Sequence, residues 1–202
     1  MLIAFEGIDR AGKSSVIADV KGLLAVSATV PIVACGEFES PISSTLRELV
    51  HKGCSPLLKT YLFAADRAWT YEHTCLPSLQ KGAVVLWDRY VDSAIAYRSV
   101  EHARGSGLSP SFVRQVNNRF RPADLTILLD ISAETSTQRA RTAGKCEPYD
   151  EEFLRAVRAF YLREARKKRD KEYIIVDADR PRDSVARDVA QIIRGSFRGL
   201  LA

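Results

Sequence analysis

Short apolar runs alternate with longer stretches of helical period along the whole chain, an order that predicts an α/β fold with a mostly parallel sheet. Leu2-Ile3-Ala4-Phe5 carries no polar residue, as in a strand buried on both faces. Val30–Cys35, Ala83–Asp88, Leu125–Ile131 and Tyr173–Asp177 read as further strands. Helices are predicted from Lys13 to about Ser27, Ser43 to Lys52, Pro56 to about Gln80, Pro110 to Phe120, Ala133 to Arg141, Glu151 to Lys171 and Arg182 to Arg194. A shorter helix starts near Asp92. Pro56 stands in the first turn, where its fixed φ is already helical. Gly82 breaks the chain before a strand, Gly105 and Gly107 mark a loop, and Thr142–Asp150 is irregular. With no repeat, linker or low-complexity tract, one domain over residues 1–202 is expected.

Composition changes this picture little. At 202 residues and 46% hydrophobic, the chain can bury a sizeable core. No apolar run approaches the roughly 20 residues of a membrane span, and Glu6 and Asp9 interrupt the place of a signal peptide's apolar stretch. Cys35, Cys54, Cys75 and Cys146 form no C-x-x-C pair, so reduced structural thiols in a cytoplasmic protein are read ahead of disulfides or zinc. The net charge of +5 would suit nucleic acid. Basic and acidic residues interleave, however, most densely from Arg155 to Glu172, which describes a solvated helix face. No nucleic-acid or membrane partner is expected, and the excess charge suits small anionic nucleotides.

The chemistry concentrates after the first strand. Gly7-Ile8-Asp9-Arg10-Ala11-Gly12-Lys13-Ser14, followed by Ser15, fits G-x-x-x-x-G-K-[ST], the phosphate-binding loop. Its glycines let backbone N–H groups curl around phosphate oxygens, Lys13 adds a cation, and Ser14 offers a hydroxyl to Mg²⁺. The following helix points its positive end at the anion. Asp88, closing an apolar strand, is placed to hold the Mg²⁺ of bound ATP. Arg89 beside it can clamp a second phosphate bidentately. Phe63 and Arg67 are one helical turn apart, so a ring and a guanidinium share a face that can hold a flat base. Ser93 and Tyr97 repeat the spacing. Taken alone, each pair is more often core packing with a surface charge.

Across nearly its whole length the chain resembles the thymidylate kinase (dTMP kinase) family. The resemblance lies in Phe5–Ser14, Leu62-Phe63-Ala64-Ala65-Asp66-Arg67, Asp88-Arg89-Tyr90 with Ser93 and Ala96-Tyr97, Pro122–Leu125 through Leu129-Asp130, Glu147 with Tyr149 and Asp150, and Val176-Asp177-Ala178. It implies a P-loop NTPase-type parallel sheet of about five strands with helices on both faces, and a short lid over residues 142–150. The activity implied is transfer of the γ-phosphate of ATP to dTMP, in a homodimer. Phe63 would stack on thymine and Arg67 meet its carbonyl edge. Ser93 and Tyr97 would line the sugar and base pocket, Asp9 approach the 3′-hydroxyl, Glu37 align with the family's acceptor-site acid, and Arg89 hold the acceptor's phosphate. Arg141 and Ala178 would border adenine, and Tyr149 would stand near the acceptor. Arg10 would serve the transferring phosphate, as in family members whose lid is poorly basic; here the lid carries only Lys145 after Arg141, and Pro148 takes a place often basic.

One element of the family pattern is absent. The arginine usually found near the acid after the second strand, which grips the acceptor's phosphate, falls here on Cys35 or Phe38. Arg98 also replaces a polar neutral residue. Two alternatives to dTMP kinase therefore stay open at this point. One is a kinase for dUMP or a modified pyrimidine deoxynucleoside monophosphate; the other is a nucleotide-binding regulatory protein without transfer activity.

Overall fold

The structure is a computed structural model and describes residues 1–26, 28–105, 107–144, 149–168 and 172–197. Its strands are β1 (Leu2–Glu6), β2 (Ile32–Gly36), β3 (Val84–Asp88), β4 (Leu125–Asp130) and β5 (Tyr173–Asp177). The helices are α1 (Lys13–Ala25), α2 (Ser43–His51), α3 (Pro56–Thr70), α4 (Leu76–Gln80), α5 (Val91–Ala103), α6 (Pro110–Val116), α7 (Ala133–Thr142), α8 (Glu151–Ala165) and α9 (Arg182–Ser196). The described residues form a five-stranded sheet of order β2-β3-β1-β4-β5, and every pairing is parallel. The apolar β1 lies at its centre, buried at every position.

Strand alternation divides β1 between two cores. Ile3 and Phe5 join a cluster with Val16, Val20 and Leu24 of α1 and Val189 of α9. Leu2 and Ala4 join Val85, Trp87 and Cys75 in a second cluster, against which Tyr71 and Leu79 pack. Helices thus cover both faces, as βαβ connections require.

Three helices differ from the periodicity reading. The run predicted from Pro56 to Gln80 is broken by a π-helical turn at Tyr71–Cys75. Pro77 has no N–H, and just before it the bonding shifts by one residue, Leu76 N donating to Tyr71 O. α6 stops at Val116, where the Asn117 side chain donates to Val113 O at 2.8 Å and competes with a further turn. α8 ends at Ala165, ahead of the predicted Lys171, which lies outside the described residues.

The parallel register aligns the carboxyl ends of the strands: Phe5 and Gly36 both pair with Asp88, and Asp130 pairs with Asp177. Loops leaving that edge build the site, as in other open parallel sheets. Among the described residues, no helix is long and apolar enough to cross a membrane. At Gly36 the last step of β2 passes Asp88 so closely that an added Cβ would lie 3.0 Å from both its Cβ and its carbonyl oxygen. Gly36→Ala is therefore expected to lose about 1–3 kcal/mol in urea unfolding. Unchanged stability would show that β2 and β3 can separate freely at this end.

Candidate active site

The phosphate loop is shaped by its backbone. Gly7, Arg10 and Gly12 have φ of 142°, 58° and 90°. A Cβ on Gly7 would come 2.5 Å from the Leu129 carbonyl oxygen, so only glycine fits. Lys13 Nζ reaches back under the loop to the carbonyls of Gly7 (3.1 Å) and Ile8 (2.8 Å). Burial, reinforced by the Arg89 charge, lowers its pKa to about 8. Ser14 Oγ donates to Asp88 Oδ2 at 2.5 Å, while the buried Asp88 Oδ1 has no hydrogen-bond partner. A hydroxyl and a carboxylate with a spare oxygen are the donor set of a Mg²⁺ that takes its remaining ligands from phosphates and water.

Arg89 occupies the centre of the site with its backbone at φ 61°. Its Nη2 lies 2.5 Å from Asp9 Oδ1 and its Nη1 donates to Gly7 O at 3.2 Å. Ser93 Oγ and Tyr97 OH each stand 3.5 Å from the same Nη1.

Beneath it lies Glu6, fully buried and not singled out in the sequence reading. Glu6 Oε1 accepts from Tyr90 N (3.0 Å) and Ser93 N (3.2 Å), capping the start of α5 from another strand. The Ser93 hydroxyl donates to Oε2, as does Tyr161 OH at 3.1 Å. Burial, and then the nearby Asp92, push the Glu6 pKa up to about 7. The available signal was a carboxylate at the last position of an otherwise apolar strand.

Two cavities open from this centre. A cleft of about 900 Å³ runs over the phosphate loop and is bordered by Lys13, Ser14, Asp88, Arg47 and Arg139. A pocket of about 320 Å³ is lined by Phe63, Arg67, Ser93, Tyr97, Arg98 and Tyr149. Asp9, Glu37, Phe38 and Arg89 line both, so the cavities meet at the Arg89 guanidinium.

In the pocket, Arg67 is buried and donates from Nη1 to Asn117 Oδ1 at 2.7 Å. Its Nε and Nη2 make no hydrogen bond, although Nη2 faces Glu37 Oε1 at 3.7 Å. Donors held in place without an acceptor suit the carbonyl edge of a base. Tyr149 packs edge-on to Tyr97 at 5.4 Å, and its hydroxyl lies 3.3 Å from Arg98 Nη2.

Arg141 is exposed and does not border the cleft. Arg139, on another side of α7, donates to Arg10 O and Ala178 O at 3.0 Å each and ties the phosphate loop to the buried Ala178. Residues two apart on a helix point to different sides. The lid residues Lys145, Glu147 and Pro148 lie outside the described residues.

With this geometry in place, comparison with known proteins is decisive. The sequence model of the thymidylate kinase family matches residues 5–189. The chain belongs to the thymidylate kinase family. A protein of Pyrobaculum aerophilum named a probable thymidylate kinase is 37% identical over 97% of each chain. The thymidylate kinase of Caulobacter vibrioides is 32% identical over 95% of this chain and 94% of its own. Among solved structures, the thymidylate kinase of Ehrlichia chaffeensis superposes with a TM-score of 0.73 over 96% of this chain and 98% of its own, at 24% identity, and so shares the fold.

The lowered Lys13 pKa gives a pH dependence. A phosphate beside the ammonium favours its charged form, so binding raises the pKa and takes up a proton wherever free Lys13 is neutral. Affinity for ATP should therefore be full below about pH 7 and decline as pH rises through the free-state value of about 8. Calorimetric titration in buffers of different ionisation enthalpy should detect proton uptake at pH 8.5. No uptake there would mean that Lys13 stays fully charged without ligand.

Proposed function

We propose that this chain transfers the γ-phosphoryl group of ATP to dTMP, giving dTDP and ADP. The observation that carries the reading is the meeting of two cavities at Arg89, one over a phosphate loop and one holding an aromatic ring and a buried guanidinium with spare donors. Loop N–H groups of Gly7–Ser15 and Lys13 bind the donor's phosphates. Phe63 stacks on thymine and Arg67 donates to its carbonyl edge. Asp9 and Tyr97 position the deoxyribose, Ser93 holds this wall through Glu6, Tyr149 and Glu37 border the acceptor, and Arg89 orients its phosphate.

An oxygen of the dTMP phosphate attacks the γ-phosphorus in line, and the bond to the bridging oxygen breaks as ADP leaves. The side chains contribute position and charge, Arg10 and Lys13 facing the phosphoryl group in transit. Ser14 and Asp88 would hold Mg²⁺, which supplies charge neutralisation between the phosphates when bound. The lid expected over residues 142–150 would exclude water, with Arg141 against adenine.

We also assign the active unit as a homodimer of single-domain chains in the cytoplasm. Leu57, Leu58 and Tyr61 lie exposed on α3, and an apolar patch there suits a second copy. The free thiols of Cys35, Cys54 and Cys75 fit a reducing compartment. Sedimentation velocity should give a dimer at micromolar concentration and a monomer for Leu58→Glu/Tyr61→Glu. A monomeric wild-type protein would remove the assignment.

The activity itself is tested by ADP release with each nucleoside monophosphate in turn. dTMP should be the best acceptor, and Lys13→Ala should lose about 10²–10³-fold in kcat while remaining folded. Preference for another monophosphate would overturn the dTMP reading, and a near-normal Lys13→Ala enzyme would overturn the phosphate-loop mechanism.

A further inference from the structure

The electrostatics of the junction leave a charge to be met. Arg89, placed to receive the acceptor's phosphate, is already paired with Asp9 at 2.5 Å. A phosphate monoester is close to dianionic at pH 7, its second pKa being about 6. The same wall carries the carboxylates of Glu37 and Glu39. Lys13 is engaged beneath the loop with the carbonyls of Gly7 and Ile8, on the donor's side. The other cations lining the acceptor pocket are met by carboxylates of their own, Arg67 facing Glu37 at 3.7 Å and Lys59 and Arg98 paired with Glu101 at 3.7 and 2.6 Å. Arg89, half-compensated among the carboxylates of Asp9, Glu37 and Glu39, is by itself a weak grip on a dianion.

We propose that Arg47 supplies the second cation for the acceptor's phosphate. The inference rests on the dTMP kinase reading. Arg47 is exposed on α2 and borders the cleft. Its guanidinium lies over the ring of Phe38, 4.0 Å from the centroid. A cation over an aromatic ring is held there through its charge and not through its hydrogen bonds, so its N–H groups stay available for contact with an anion.

Phe38 is the seat that brings it there. It is one of the four residues lining both cavities, so a cation resting on it stands beside the junction. Its backbone takes φ 65°, unusual for a bulky residue. The buried Asp66 stabilises that turn, accepting from Phe38 N (2.7 Å), Ser40 N (3.2 Å) and Ser40 Oγ (2.6 Å). The same ring packs edge-on against Phe63 of the base pocket at 5.6 Å. One aromatic side chain therefore connects the wall of the base pocket to the guanidinium facing the phosphate. A merely solvated surface arginine needs neither the fixed turn nor the position at the junction.

The test separates phosphate contact from damage to the pocket. KM for dTMP and for ATP, and the inhibition constant of thymidine, which has no phosphate, are measured for wild type, Arg47→Ala and Arg47→Lys. Arg47→Ala should raise KM for dTMP about 10- to 100-fold, the loss of one charge-assisted hydrogen bond. KM for ATP and the thymidine constant should stay within about twofold, and Arg47→Lys should recover part of the dTMP affinity. An unchanged KM for dTMP, or an equal loss for thymidine, would overturn the role of Arg47. Failure of the wild-type enzyme to phosphorylate dTMP would instead overturn the activity on which the inference rests.

Discussion

A single buried carboxyl group, Glu6, organises the catalytic edge of the sheet. It takes backbone donors from Tyr90 and Ser93 and hydroxyl donors from Ser93 and Tyr161, and so joins β1, the start of α5 and α8. Polar groups removed from water must find partners, and here four donors converge on one acceptor. Arg89 lies one residue before the capped turn and inherits its position from it. Its own backbone N–H is held by Phe5 O at 3.0 Å, and its strained φ is tolerated because both sides are fixed. The arginine where the two cavities meet is thus oriented from below, by a residue that reaches neither cavity.

What the sequence disclosed follows from the range of each interaction. Gly7–Ser14 is contiguous, so its motif carried the loop and its chemistry whole. β1 and β3 were legible because each is apolar up to a closing carboxylate, and Asp88 because a strand-end carboxylate beside a phosphate loop has few other uses. Phe63 and Arg67 share a helical face by spacing alone. The partners that fix these groups were hidden by distance along the chain: Asn117 is 50 residues from Arg67, and Tyr161 is 155 from Glu6. Arg139, which donates to Arg10 O and Ala178 O, shows its role only once α7 is docked against the phosphate loop. The π-helical turn before Pro77 was legible in principle, since the proline removes a donor from a run otherwise read as one helix. The arginine absent after β2 also has a physical setting. Of the two positions where it would fall, Cys35 is buried within β2 and Phe38 carries the Arg47 guanidinium on its ring, so the cation on that side of the cleft comes from α2 instead.

The unliganded cations are already satisfied in part, which shapes how a nucleotide enters. Lys13 rests on two carbonyls, neutral partners that can yield to phosphate at little electrostatic cost, while Arg67 is held by an amide and faces the Glu37 carboxylate at 3.7 Å. Asp9 forms the closer ionic pair, with Arg89 at 2.5 Å. Burial pushes its pKa up, but Arg89 and Lys13 more than offset this, and its carboxyl is held below the ordinary range. A phosphate arriving at Arg89 competes with that carboxylate and leaves it short of a donor. A sugar hydroxyl at the junction can supply one, so a nucleotide brings both the anion that takes Arg89 and the donor that compensates Asp9. Inorganic phosphate brings only the first. On the proposed reading, the Asp9–Arg89 pair would couple recognition of the sugar to recognition of the phosphate, so that the site would favour a whole nucleotide over either fragment.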